Sequence, residues 1–82
     1  MKLRIRYFAS LREALGPGEA LETRAATLGA LRDEMIARGD PHAEALARGK
    51  ALRMALDQVM ADESAELREG AEVAFFPPVT GG

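Results

Sequence analysis

Charged and apolar residues alternate from the start of the chain. Leu3, Ile5 and Tyr7 fall on one side, and Lys2, Arg4, Arg6 and Phe8 on the other. A period of two is that of a strand with one buried face. Phe8 is the exception, an aromatic residue on the polar side. A second such segment closes the chain. From Ala71 to Phe76, Val73 and Phe75 share one side while Ala74 and Phe76 share the other. Two prolines follow. Proline lacks the N–H that a sheet ladder needs, so pairing ceases at Pro77 except at an edge. If the first and last strands lie side by side in the sheet centre, Phe8 and Phe76 point together away from the buried face.

The segments between are read from period and punctuation. Ser10 can cap a short helical turn over Leu11–Leu15, which Gly16-Pro17-Gly18 ends. A short strand follows from Glu19 to Thr23, with Ala20 and Glu22 outward. Thr27 is an N-cap for a helix carrying Leu28, Leu31, Met35 and Ile36 at helical spacing, with Gly39 at its C-cap. Asp40-Pro41 reads as an N-cap and a first helical residue, opening a shorter helix that runs to Arg48 and closes at Gly49. Ala51–Asp57 alternates again, with Leu52, Met54 and Leu56 on one side. Asp57-Gln58 turns the chain into a brief strand at Val59-Met60. Residues 61–70 are polar except for Leu67 and end in a turn at Glu69-Gly70. Strands, a main helix and further strands indicate an α+β domain with the helix on one sheet face.

With 82 residues the chain fits one domain. It has no Cys and a single His, His42, so neither a disulfide nor a His cluster supports the core, and 48% hydrophobic residues must do so by burial. The absence of Cys fits a reducing compartment. Charge at every second N-terminal residue is neither a signal peptide nor a membrane span, which points to a cytoplasmic protein. A formal net charge of −2 gives no phosphate-binding footprint, so nucleic acid is not an expected partner. Gly16-Pro17-Gly18 is too short to cradle a phosphate. His42 and the acidic run Asp62, Glu63 and Glu66 read as solvated surface.

After the last strand come Pro77, Pro78, Val79, Thr80, Gly81 and Gly82. Pro-Pro favours an extended spacer, and six residues reach roughly 20 Å. Two glycines without Cβ make a thin end that can enter a narrow slot. The reactive group such a tail delivers is the α-carboxylate of Gly82. The bland alternative is a frayed chain end.

The run Glu72-Val73-Ala74-Phe75-Phe76-Pro77-Pro78-Val79-Thr80-Gly81-Gly82 strongly resembles the C-terminus of the small subunit of molybdopterin synthase, a ubiquitin-like sulfur-carrier family. Arg6-Tyr7-Phe8-Ala9-Ser10-Leu11-Arg12-Glu13 resembles that family's first strand and turn. The Leu31-Arg32 helix and the Asp57-Gln58 turn fall in register, so the resemblance spans essentially the whole chain, with the tail as its specific part. It implies a β-grasp, ubiquitin-like body over residues 1–76, a mixed sheet with one main helix on one face, and a functional tail over 77–82. It implies a carrier without turnover of its own and without a bound cofactor or metal. An adenylating enzyme related to ubiquitin-activating enzymes uses ATP to activate the Gly82 carboxylate, which becomes a thiocarboxylate. The tail, Pro77 to Gly81, inserts into the large synthase subunit of a heterotetramer, where the sulfur passes to a cyclic pterin precursor. By the same resemblance Phe8, Arg12, Met60 and Phe76 are partner-binding positions. The family more often has Leu where this chain has Met60, and can have Asn where it has Asp57.

Other readings stand beside these. Phe8 and Phe76 can pack beneath the 61–70 loop, Met60 can belong to the core, and Arg12 reads on sequence grounds as an ordinary solvated charge. Alternative functions are a carrier for thiamine or tRNA thiolation, a ubiquitin-like module that binds without covalent chemistry, and a small RNA-binding β-grasp domain.

Overall fold

The first strand, β1, spans Lys2–Tyr7, and its burial alternates residue by residue as the sequence does. The computed structural model describes residues 1–78. Along the chain follow α1 (Ala9–Leu15), β2 (Gly18–Glu22), α2 (Leu28–Ile36), α3 (His42–Ala45), β3 (Arg53–Leu56), β4 (Val59–Ala61) and β5 (Glu72–Phe76). The five strands form one mixed sheet in the order β2-β1-β5-β3-β4. β1 and β5 are parallel neighbours in its interior, with Ile5 opposite Val73 and Tyr7 opposite Phe75. The remaining pairs are antiparallel. A parallel pair needs a long crossover, and α2 lies on that crossover. The arrangement is the ubiquitin-like β-grasp.

One face of the sheet is closed by a single apolar cluster. Leu3, Ile5, Tyr7, Met54, Val73 and Phe75 meet Leu28, Leu31 and Met35 of α2, together with Leu11, Leu46 and Leu67. Thr27 caps α2 by accepting the Ala30 N–H at 3.2 Å. The 61–70 loop completes the cap: the carbonyls of Ala65 and Glu63 accept the Leu28 and Gly29 N–H groups at 3.1 and 2.9 Å. The loop therefore lies over the start of α2 and satisfies helix-end donors that have no partner within the helix. Asp57 and Gln58 both have positive φ, +49° and +68°. That is the two-residue hairpin turn whose twist matches its flanking strands.

Several boundaries differ from expectation, for physical reasons. Ser10 lies inside α1. The N-cap is extended Phe8, which offers no side-chain cap; its carbonyl accepts the Leu11 and Arg12 N–H groups at 3.1 and 3.3 Å. β2 begins and ends one residue earlier than read, because Gly18 pairs with Arg6 and Glu22 with Lys2. α2 has its C-cap at Ala37, and Gly39, at φ +86°, ends a further tight turn beyond it. Asp40 is no N-cap: α3 starts at His42, with Pro41 in that role, and stops at Ala45 rather than Arg48. The segment after it is held from α2. Arg32, only 3% exposed, donates from Nε to the Leu46 carbonyl at 2.8 Å. Its Nη2 donates to the carbonyls of Ala47 and Lys50 at 2.5 and 2.9 Å. A buried guanidinium is thus satisfied by carbonyls just after α3, which have no partner within that helix. β3 is shorter than read, and Ala55 as well as Met54 is buried. β4 gains Ala61, and β5 starts at Glu72.

The acidic run is not simply solvated. Glu63 pairs with Arg32 at 3.1 Å and with Arg48, and Arg48 also pairs with Asp33 at 2.8 Å. These contacts fasten the 61–70 loop and the segment after α3 to α2.

Candidate functional site

The sheet face opposite the core carries the aromatic pair. Because β1 and β5 run parallel in the register Tyr7–Phe75, the next residues, Phe8 and Phe76, emerge together on the other face. Their rings stack with centroids 4.7 Å apart and planes 10° from parallel. The Phe8 N–H donates to the Phe75 carbonyl at 3.2 Å, extending the ladder by one bond. Ala9 then takes φ +51°, uncommon outside glycine, and swings the chain into α1. Both rings are half-buried, against each other rather than beneath the 61–70 loop, which is occupied at α2.

Cross-strand register builds the rest of the face. Ala74 lies opposite both Arg6 and Ala55, and Ala55 lies opposite Met60. Small alanines make a low floor between the aromatic pair and Met60, whose side is open: Met60 is 56% exposed and its neighbour Val59 68%. The structure thus places Phe8, Phe76 and Met60 on one face. Arg12 is exposed on α1, one turn beyond Phe8. Arg6 and Arg53, absent from the sequence-based site, also lie there. The Arg6 guanidinium carbon is 5.1 Å from the Phe8 ring centroid, and Arg53 is the register partner of Phe76. Alternation of Arg53 with buried Met54 was the available signal.

The tail leaves beside this face. Pro77 is half-buried and Pro78 exposed, and both line a cavity of about 290 Å³ with Leu11, Ala45, Lys50 and Leu52. Val79, Thr80, Gly81 and Gly82 lie outside the described residues.

A polar cluster on the covered side corrects the reading of His42. Its side chain is 14% exposed, with Nε2 3.4 Å from Glu19, and its ring meets Tyr7 edge-on at 6.4 Å. The Tyr7 hydroxyl donates to Glu19 at 2.9 Å, and Arg38 pairs with Glu19 at 2.9 Å. Burial and then the Glu19 hydrogen bond push the Tyr7 phenol well above its ordinary range. Burial works to raise the Glu19 carboxyl, but the Arg38, Tyr7 and His42 hydrogen bonds and the Arg38 charge outweigh it and hold the group below its ordinary value. The cluster joins β1, β2 and the α2–α3 segment and has a structural character. Among the described residues no group of three or more His, Cys, Asp or Glu is placed to hold a metal, and no helix is long and apolar enough to cross a membrane.

A family model described as the ThiS family matches residues 5–82, the tail included. The chain belongs to this family. It is 44% identical over 82 residues to the molybdopterin synthase sulfur carrier subunit of Escherichia coli (strain K12), covering 98% of this chain and 99% of that protein. It is 41% identical over 81 residues to the protein of the same description from Haemophilus influenzae, covering 98% and 99%. Among solved structures it resembles a chain in the complex of subunits 1 and 2 of molybdopterin-converting factor from Helicobacter pylori. That match has a TM-score of 0.69 and 23% identity and covers all of both chains, a likeness of fold. In this ThiS-family chain β5 ends at Phe76, and the aromatic pair lies at that strand end.

Proposed function

We propose that this chain is the sulfur-carrier subunit of a molybdopterin synthase, acting as a protein cosubstrate without turnover of its own. The observation that carries the reading is end-to-end similarity, at 41–44% identity, to two proteins of that description. The tail's composition supplies the chemistry. A carboxylate is a poor electrophile, so an adenylating enzyme must first join the Gly82 carboxylate to AMP, releasing pyrophosphate from ATP. A sulfide-equivalent nucleophile then attacks the acyl carbon, AMP leaves, and a thiocarboxylate remains. The absence of Cys in the chain leaves this terminal group as its carrier of transferable sulfur. Gly81 and Gly82 leave the carbonyl open to both enzymes. ATP belongs to the adenylating partner, and the carrier holds no cofactor.

The large synthase subunit is the receiving partner in this reading, in a heterotetramer with two carriers. Ordering a thin tail in a pocket costs entropy, so the folded body must contribute affinity. Phe8, Phe76 and Met60 offer apolar area for that beside the tail root, with Arg12 adjacent. The test is intact mass after incubation with the adenylating enzyme, ATP and a sulfur source. Replacement of one oxygen by sulfur is expected in the wild type and absent after deletion of Gly82, with the fold unchanged by circular dichroism. Sulfur transfer at wild-type level from a chain extended beyond Gly82, shown to be untrimmed, sinks the proposal. A module that binds without covalent chemistry would instead keep its binding without Gly82 and show no ATP-dependent mass change.

A further inference from the structure

The open face is charged against the trend of the molecule. The chain as a whole carries a formal −2, yet the outward positions of its strands hold Lys2, Arg4, Arg6 and Arg53 against Glu22 and Glu72. Two of the cations bracket the aromatic pair. Arg6 sits over the Phe8 ring at 5.1 Å, and its only ion-pair partner among the described residues, Glu72, is 4.0 Å away with the Arg6 side chain half exposed. Arg53 flanks Phe76 from β3, is exposed, and forms no ion pair among the described residues. Arg6 thus lies on β1 two residues before Phe8, and Arg53 lies across from Phe76 on β3, so the pair has an arginine on each strand side.

We infer that Arg6 and Arg53 are specificity-determining contacts. They require a docking protein whose apolar socket for Phe8 and Phe76 is flanked on both sides by carboxylates. The inference rests on the carrier reading and names the partner chemistry of its docking face. Two physical arguments favour this occupant. A second copy of the chain would set arginines against arginines, which like-charge repulsion disfavours. Arginine is weakly hydrated, stays charged, and presents a planar fork that matches a carboxylate in two bonds while its plane rests on an aromatic ring. Aromatic rings with arginines also suit single-stranded nucleic acid, but the molecule's net negative charge opposes it.

The experiment measures association of the full chain with the large synthase subunit of its own organism, from low to high ionic strength, for wild type, Arg6→Gln, Arg53→Gln, the double Arg→Glu variant, Arg53→Lys and Phe76→Ala. Each Gln variant is expected to weaken binding about threefold to fivefold, the range of rim ion pairs. The double reversal should slow association about tenfold or more and flatten its salt dependence. Arg53→Lys should keep the salt dependence, which a purely structural role for Arg53 would not predict. Melting temperatures check that the variants fold. Binding that Phe76→Ala weakens but the arginine variants leave unchanged overturns this inference and leaves the carrier reading standing. A wild type that does not bind the large subunit overturns both. Tight binding of a single-stranded oligonucleotide at physiological salt, lost in the double reversal, overturns the carboxylate socket in favour of a nucleic-acid surface.

Discussion

Two aromatic pairs sit one residue apart on the same two strands and have opposite fates. Tyr7 and Phe75 stack at 6.1 Å on the covered face, 1% and 0% exposed. Phe8 and Phe76 stack at 4.7 Å on the open face and remain only partly buried. Strand alternation sends successive residues to opposite faces, so one register serves both pairs. The first pair stabilises the fold, since its apolar area is removed from water entirely. The second keeps area that water still touches, which favours the fold little and a docking partner more.

The largest expected effect lies in the covered pair. Phe75→Ala should cost about 3–5 kcal/mol, enough to unfold a marginal domain of this size, as denaturant titration will show. Arg32→Gln comes next. It removes the charge that faces Glu63 and strands the buried Leu46 carbonyl, while the Ala47 carbonyl keeps the Lys50 N–H, with an expected loss of about 3 kcal/mol. Phe76→Ala should separate the two faces. Its expected cost is about 1 kcal/mol in stability, but about 10- to 100-fold in affinity for the large synthase subunit, measured by titration calorimetry. A stability loss as large as that of Phe75→Ala would erase the distinction between the pairs.

The smallest effects belong to the polar clasp above Tyr7. Tyr7→Phe removes the hydroxyl that donates to Glu19 and should cost about 1 kcal/mol, or a melting temperature lower by about 4–8 °C. Docking should be unaffected. The clasp also sets a pH dependence. The folded Glu19 carboxyl is held below its ordinary value of 4.5. Its contribution is therefore fully present above that value and is lost as pH falls through the lower folded value, where the unfolded chain binds the extra proton. Acid titration of the melting temperature should be steeper for wild type than for Glu19→Gln below about pH 4.5. Equal slopes would remove Glu19 from the clasp.

Most of the open face was legible in the chain. Alternation in residues 2–8 and 71–76 needs only neighbouring residues, and it put Phe8 and Phe76 together before any contact was known. The proline stop and the positive-φ turn at Asp57-Gln58 are equally local, because a missing N–H and a backbone preference belong to single residues. Alternation with Met54 places Arg53 on the outer face, but its position opposite Phe76 comes from another strand.

What needed the folded molecule was everything held by partners distant in sequence. Arg32 reaches Glu63 across 31 positions and the Leu46 carbonyl across 14, and that reach is why the segment after α3 is held to α2 and why Glu63 became a fastening. His42 is drawn to Glu19 across 23 positions, turning a residue with no local reason for burial into part of a clasp. Local periodicity and backbone chemistry thus determined the strands, their faces and the stop at Pro77. Loop anchorage and the pairing of charges were settled by long-range packing, since a buried charge or helix end takes whichever partner the fold brings within reach.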